Sequence, residues 1–142
     1  MTYLVDTMVW SEMRRSRPHR VVAAWFDSQD ADVLFMSVMT VGEIRAGASV
    51  EEDPDRKGAL DAWLADMRAQ LAGNLLPVNA AAAEVWGEIH ARRSAVGAMP
   101  AFVDSLIAAT AYVHGLTVVT RNVGHFENLG VPVLNPWELK DN

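Results

Sequence analysis

The sequence contains no cysteine. Disulfide bonds and thiolate metal sites are therefore excluded, and the composition fits a protein of the reducing cytoplasm. No apolar run reaches the roughly 18 residues that a membrane span requires, so no membrane segment is expected. No signal peptide precedes the first apolar run at Tyr3–Val5, so the mature chain is expected to begin at or near Met1. No glycine-rich phosphate loop occurs, which argues against nucleotide-driven chemistry.

Positive charge is also scarce. The 142 residues include 12 Lys and Arg against 18 Asp and Glu, a formal net charge of −6. This balance argues against a protein that binds nucleic acid over a broad basic surface. A local basic cluster does occur at residues 14–20, and its members are Arg, whose planar guanidinium suits phosphate. We leave three interpretations open for this cluster: contact with nucleic-acid phosphates, contact with acidic residues of a protein partner, or exposure to solvent.

Apolar sequence is abundant, at 51% of the chain, and at this length it is enough for one core. Short β-rich runs predict strands at Tyr3–Val5, residues 33–36, Leu75–Leu76, residues 116–120 and residues 131–134. Segments with helical spacing separate the strands, including one that Pro18 is predicted to open, one that follows the cap Asp53, and Phe102–His114, which Gly115 ends. This alternation predicts a parallel sheet covered on both faces, within a single domain over residues 1–142.

Three carboxylates occur where the pattern does not favour an acid. Asp6 ends the first apolar strand, at the edge where open parallel sheets bind their ligands. Glu43 has small and apolar neighbours at helical spacing, and Asp104 lies one turn before Ile107 on an apolar helix face. Carboxylates are rarely buried unless they are paired or bound to metal. A fourth polar residue, Asn122, comes just after the strand predicted at residues 116–120, as Asp6 comes just after the first strand.

Together these residues predict one metal site at the edge of the sheet. Carboxylates that share an apolar mouth repel one another, and their pKa values rise unless a cation compensates. Oxygen ligands without His or Cys suit Mg²⁺, or Mn²⁺ as a substitute. Each acid also has a structural interpretation: Asp6 as a helix cap, Glu43 as an ion-pair partner of Arg45 or Arg121, and Asp104 as a first-turn helix acid.

Other polar and aromatic side chains receive weaker predictions. Thr120 is a candidate to hold a metal-bound water beside Asn122, although a strand threonine needs no special role. Trp10 and Met13 share a helix face, which predicts core packing or, as an alternative, a groove for a partner. No ligand spacing and no partner are evident for the four histidines, which argues against a histidine general base: His19, His90, His114 and His125.

The stretches that carry the candidate residues resemble the PIN domain, in particular the VapC-type and fast-intracellular-trafficking branch of bacterial toxins. They are residues 3–7, residues 41–44, DSLIAATA at residues 104–111 and TRNV at residues 120–123. The last two are specific in their order and spacing, and the resemblance continues through residues 130–137. It implies a three-layer α/β/α sandwich with a five-stranded parallel sheet.

The resemblance also implies a function. It implies a homodimeric, Mg²⁺-dependent endoribonuclease whose RNA cleavage is neutralised by a cognate antitoxin. Asp6, Glu43 and Asp104 match the acidic triad of the family, with Asp6 and Asp104 as the direct metal ligands. Asn122 matches a fourth position that is often Asp, and as Asn it offers only a neutral oxygen. The expected reaction is attack of an activated water on an RNA phosphodiester, which leaves a 5′-phosphate and a 3′-hydroxyl.

Met8 departs from the pattern of the family, which commonly has Asn or Ser two residues after the first Asp. A thioether cannot donate a hydrogen bond, so the sequence predicts weaker support for Asp6 from this position. An alternative therefore stays open, a catalytically weakened PIN domain that retains mainly antitoxin binding. A phosphate-accepting receiver domain is rejected, because receivers need an adjacent acidic pair after the first strand and Asp6 has no acidic neighbour.

Overall fold

The computed structural model describes residues 1–140, so the last two positions of the predicted domain, 141 and 142, lie outside the described residues. Five strands form one parallel sheet in the order β3-β2-β1-β4-β5, and they are β1 (Tyr3–Val5), β2 (Leu34–Ser37), β3 (Leu75–Leu76), β4 (Thr117–Val119) and β5 (Val133–Leu134). The helices in the described part are α1 (Thr7–Arg14), α2 (Arg20–Asp27), α3 (Val38–Val50), α4 (Pro54–Gln70), α5 (Ala80–Ala95), α6 (Phe102–His114) and α7 (Val123–Phe126).

Alternating side chains on the two central strands divide the core into two layers. Leu4 and Val118 are paired across β1 and β4, and both pack against α5, α6 and α7. Val5 and Val119 are the next pair, and both pack against α1 to α4. Successive strand residues point to opposite faces, so apolar runs of this kind cover both faces with helices. The predicted three-layer α/β/α sandwich with a five-stranded parallel sheet is confirmed.

The strand order changes direction between β1 and β4. From β1 the chain first adds β2 and β3 on one side, and it then returns to place β4 and β5 on the other side. In open parallel sheets such a switch point leaves a crevice at the carboxyl ends of the two strands. Asp6 follows β1 at this point, and its backbone N–H donates to the carbonyl of Val119 at 2.9 Å. The topology therefore explains why polar residues after β1 and β4 meet.

Most predicted helix ends agree with the structure. Asp53 caps α4 through its side chain, Asn79 caps α5 in the same way, and Gly115 ends α6 with a φ of 66°. Pro18 does not open a helix, because α2 begins two residues later at Arg20. The backbone N–H of His19, the residue before α2, instead donates to a Glu12 carboxylate oxygen at 3.3 Å.

No helix in the described part of the chain is both long and apolar enough to cross a membrane.

Candidate active site

A cavity of about 440 Å³ opens at the carboxyl edge of the sheet, at the switch point between β1 and β4. The predicted site residues all line it, and each comes from a different part of the fold: Asp6 from the end of β1, Glu43 from α3, Asp104 from α6 and Asn122 from the segment after β4. The remaining lining residues are Thr7, Met8, Ser11 and His125. The structure thus brings together four residues that are up to 116 positions apart in the sequence.

Asp6 is the most firmly held of the carboxylates. It is 6% exposed, one carboxylate oxygen accepts from the backbone N–H of Thr7 at 2.9 Å, and the other accepts from the hydroxyl of Thr120 at 2.9 Å. Burial raises the pKa of Asp6 from 3.8 to about 6, the two hydrogen bonds oppose this rise, and the negative charges of Asp104 and Glu43 add to it. Asp6 is therefore both a helix cap and a destabilised anion.

Glu43 is exposed, although its neighbours at helical spacing are small or apolar. The hydroxyl of Thr7 donates to Glu43 at 2.7 Å and holds its carboxylate at the rim of the cavity. The alternative interpretation, an ion pair of Glu43 with Arg45 or Arg121, does not hold, because Arg45 pairs with Asp61 at 2.6 Å and Arg121 lies over an aromatic ring. The helix turns Arg45 away from the cavity towards α4, and Glu43 stays available to solvent.

Asp104 lies in the first turn of α6, and its side chain is 19% exposed. One carboxylate oxygen lies 3.0 Å from Nδ1 of His125, which belongs to α7. No partner for this histidine was expected from the sequence, and that expectation is wrong. The available signal was its position three residues after Asn122, which is close to one helical turn and brings both side chains to the cavity.

Thr120 connects the two strand ends. Its buried hydroxyl donates to Asp6 and accepts the backbone N–H of Asn122 at 3.0 Å. The side-chain amide of Asn122 donates to the sulfur of Met8 at 3.0 Å. Met8 therefore contacts Asn122 and not Asp6, and the hydroxyl of Thr120 supplies the side-chain hydrogen bond to Asp6.

A model of the PIN domain matches residues 3–131 of the chain. The chain belongs to the PIN-domain family. It is 35% identical over 136 residues to the VapC ribonuclease Y4jK of Sinorhizobium fredii, covering 95% of this chain and 97% of that protein. It is 37% identical to the toxin FitB of Neisseria gonorrhoeae, with 94% and 97% covered. The crystal structure of FitAcB from the same organism matches at a TM-score of 0.90 and 36% identity, covering 97% of this chain and 100% of that one.

The donor set of this PIN domain decides whether a metal ion fits. Within residues 1–140, no group of three or more His, Asp and Glu side chains is arranged so that it could hold one. The three carboxylates expected from the sequence therefore do not form one three-ligand group, and Glu43 is bound by Thr7 while Asp104 contacts His125. Mg²⁺, however, is usually bound through one or two carboxylates and keeps several waters. Asp6 and Asp104, which line one cavity, fit that requirement.

Proposed function

We propose that this PIN domain is a divalent-metal-dependent endoribonuclease and the toxin of a toxin–antitoxin pair. The observation that carries the proposal is Asp6, a buried acid whose pKa is raised to about 6 beside Asp104 and Glu43. Such an arrangement costs free energy in the folded protein, and a cation removes that cost. The relatives named as a ribonuclease and a toxin support the same activity. We place the activity in the cytoplasm, where RNA is accessible, and assign it to one domain over residues 1–142.

Asp6 and Asp104 would hold the cation, which we propose is Mg²⁺, with Mn²⁺ as a substitute. When bound, such a cation lowers the pKa of a water and stabilises negative charge on phosphate oxygens. The side chains around the cavity orient the two ligands. Thr120 and the backbone of Thr7 hold Asp6 from two sides, and the ring of His125 contacts Asp104.

Glu43 is suited to accept the proton of the attacking water. Its carboxylate is exposed at the rim of the cavity and held in place by the hydroxyl of Thr7, so it can reach a water without being a direct metal ligand. Asn122, which follows the neighbouring strand β4, adds a neutral amide to the same cavity. In-line attack on an RNA phosphodiester would leave a 5′-phosphate and a 3′-hydroxyl.

We also propose a homodimer and a cognate antitoxin as partners. Three large apolar side chains are exposed where α5 leads into α6, and their exposed fractions are 66% for Val96, 50% for Met99 and 62% for Phe102. Apolar surface that is left uncovered in a monomer favours a protein interface there. The open acidic cavity is a suitable target for a basic side chain of an antitoxin.

The alternative is a PIN domain with weakened catalysis that retains mainly antitoxin binding. The observation that favours it is the contact between Met8 and Asn122, because a thioether is a poor acceptor for an amide N–H. The two hydrogen bonds to Asp6 favour the active form, since they orient the principal ligand without any help from position 8.

Cleavage of total RNA distinguishes the two. The wild-type protein should cut in Mg²⁺ and not in EDTA, and Asp104→Asn should not cut. Asp66→Asn is the matched control, because this exposed α4 acid lines no part of the cavity. Folded wild-type protein that does not cut in Mg²⁺ would establish the alternative.

Melting temperature provides a measurement that does not depend on the RNA target. Mg²⁺ at ten times its dissociation constant should stabilise the wild-type protein by about 1.4 kcal/mol. For a domain of this size the rise is roughly 3–6 °C. The rise should be smaller in Asp104→Asn and unchanged in Asp66→Asn. If Mg²⁺ shifts neither Asp104→Asn nor the wild-type protein, or shifts both equally, Asp6 and Asp104 do not share a cation.

A further inference from the structure

Arg121 lies between two residues of the candidate site. Thr120 before it binds Asp6, and Asn122 after it lines the cavity. Arg121 itself is exposed, and no carboxylate within residues 1–140 forms an ion pair with it. Arg121 is therefore a cation without an ion-pair partner among residues 1–140, and it lies between two residues of the candidate site without lining the cavity itself.

The ring of Trp137 fixes the position of this cation. The guanidinium carbon of Arg121 lies 5.2 Å from the ring centroid. Trp137 belongs to the short turn Pro136–Glu138, where the Asn135 side chain accepts its backbone N–H at 3.0 Å. A guanidinium over an aromatic ring is attracted to the ring and keeps N–H donors for an acceptor, so Arg121 can bind a phosphate while it contacts Trp137.

The arginines of the basic segment at residues 14–20 are not all available to bind RNA. Arg14 stacks over the ring of Trp63 at 5.3 Å, and Arg15 pairs with Glu12 at 3.2 Å. Two arginines of the basic segment therefore already have partners within the chain. A protein with a net charge of −6 that binds RNA needs specific local cations. Arg121 is the arginine that is adjacent in sequence to two residues of the candidate site, Thr120 and Asn122.

We propose that Arg121, stacked on Trp137, binds a backbone phosphate of single-stranded RNA next to the bond that is cut. This inference rests on the proposed nuclease function and adds a substrate subsite to it. RNA is favoured over an acidic peptide because the aromatic surface continues beyond the cation: the ring of His19 lies 6.5 Å from that of Trp137. Combined arginine and aromatic surfaces bind single strands through phosphate contacts and base stacking, and a peptide carboxylate would use only the charge.

RNA binding without cleavage tests the subsite. A labelled oligouridylate is titrated with the full chain carrying Asp104→Asn, so that it is not cut, and anisotropy is read at several salt concentrations. Arg121→Ala should weaken binding about threefold to tenfold and lower the magnitude of the salt slope by about 0.7, the value for one phosphate contact on a single strand. Arg121→Lys should keep the slope and lose part of the affinity, because lysine keeps the charge without planar stacking.

Arg68→Ala is the matched control, since it removes the same charge from an exposed position in the last turn of α4. Equal losses for Arg68→Ala and Arg121→Ala would show bulk electrostatics only and would overturn the subsite. The subsite is also overturned if Arg121→Ala weakens binding of a polyglutamate peptide but not of the oligouridylate.

Cleavage by the otherwise wild-type protein separates this inference from the proposed function. Arg121→Ala should raise KM with little change in kcat. Wild-type cleavage with an unchanged KM in Arg121→Ala would reject the subsite alone. A wild-type protein that binds the oligouridylate through Arg121 but does not cut RNA would reject the nuclease function and leave the RNA subsite supported.

Discussion

Nδ1 of His125 and a carboxylate oxygen of Asp104 lie 3.0 Å apart, and this contact joins α7 to the first turn of α6 at the cavity. An ionised carboxylate only accepts hydrogen bonds, so the contact requires a proton on Nδ1. Groups that hold metal-ligating carboxylates are typically worth tenfold to a hundredfold in metal affinity. We therefore expect His125→Ala to weaken Mn²⁺ binding, measured by calorimetric titration, by roughly tenfold.

His125→Asn provides the control for this prediction. The asparagine amide places a donor close to the position of Nδ1, so it should restore most of the affinity, whereas His125→Phe should not. Equal Mn²⁺ affinity in His125→Ala and the wild-type protein would show that the contact does not orient Asp104. The histidine is 58% exposed, so none of these variants should unfold the protein.

The raised pKa of Asp6 makes stability depend on pH. Its ordinary value is 3.8, and in the folded, metal-free protein it is about 6. The folded protein holds this proton more tightly than the unfolded chain, so the free energy of unfolding falls as pH rises from about 4 to about 6 and then stays lower. The full penalty is on the order of 3 kcal/mol. In EDTA, Asp6→Asn should therefore be more stable than the wild-type protein, by an amount that grows across this range.

The difference in melting temperature between Asp6→Asn and the wild-type protein reports on Asp6 alone, because all other acids are present in both proteins. Asparagine caps helices about as well as aspartate, so the cap of α1 should survive the substitution. A difference in melting temperature that is the same at pH 4.5 and pH 7.5 would contradict the raised pKa. Mg²⁺ at ten times its dissociation constant should narrow this difference at neutral pH, because only the wild-type protein keeps both ligands and gains about 1.4 kcal/mol against the penalty of about 3 kcal/mol.

Removal of the Thr120 hydroxyl is expected to lower both the free energy of unfolding and the affinity for the cation. Thr120→Val keeps the shape but removes the hydroxyl that donates to Asp6 and accepts from Asn122. Leaving buried hydrogen-bonding groups unpaired should cost about 1–3 kcal/mol, measured by denaturant unfolding. Thr120→Ser keeps the hydroxyl, so it should retain the Mg²⁺-induced rise in melting temperature that Thr120→Val loses. Wild-type behaviour of Thr120→Val in both measurements would remove Thr120 from the site.

The fold was predictable where local chemistry is strong. The bounds of α6 were predicted to the residue, because an apolar helical pattern ends at Gly115, where only glycine adopts a positive φ readily. Asp53 followed by proline marked the start of α4 for a similar reason. The carboxyl edge of a parallel sheet then predicted that Asp6, Asp104 and Asn122 would meet, and they line one cavity.

The remaining features depend on contacts that no local pattern contains. α7 is a single turn, too short for helical periodicity, so the place of His125 in the cavity was missed. The residue before α2, His19, donates its backbone N–H to the carboxylate of Glu12, which lies seven residues earlier. The partner of Glu43 is Thr7, which is 36 positions away in the sequence, and only the completed sheet brings the two together.

Substitutions of Met8 test how the side chain at this position affects cation binding. The amide of Asn122 donates to its sulfur, while Asp6 is held by other groups, so a change here should act through Asn122. Met8→Asn supplies an oxygen, a stronger acceptor than a thioether, and should fix the Asn122 side chain in the cavity. We expect the affinity for Mn²⁺ to rise severalfold, up to about tenfold. Met8→Leu, of similar volume but without an acceptor, should give no rise.

A double-mutant cycle decides whether the effect passes through Asn122. In an Asn122→Ala background, Met8→Asn should no longer raise Mn²⁺ affinity, because the side chain that it would orient is gone. A gain of the same size in both backgrounds would instead mean that the new residue acts directly on the cation or on Asp6. Because the hydrogen bonds of Asp6 do not involve position 8, the pH dependence of stability should be the same in Met8→Asn and in the wild-type protein. A changed pH dependence would place residue 8 in contact with Asp6 and would contradict the arrangement described for Thr120.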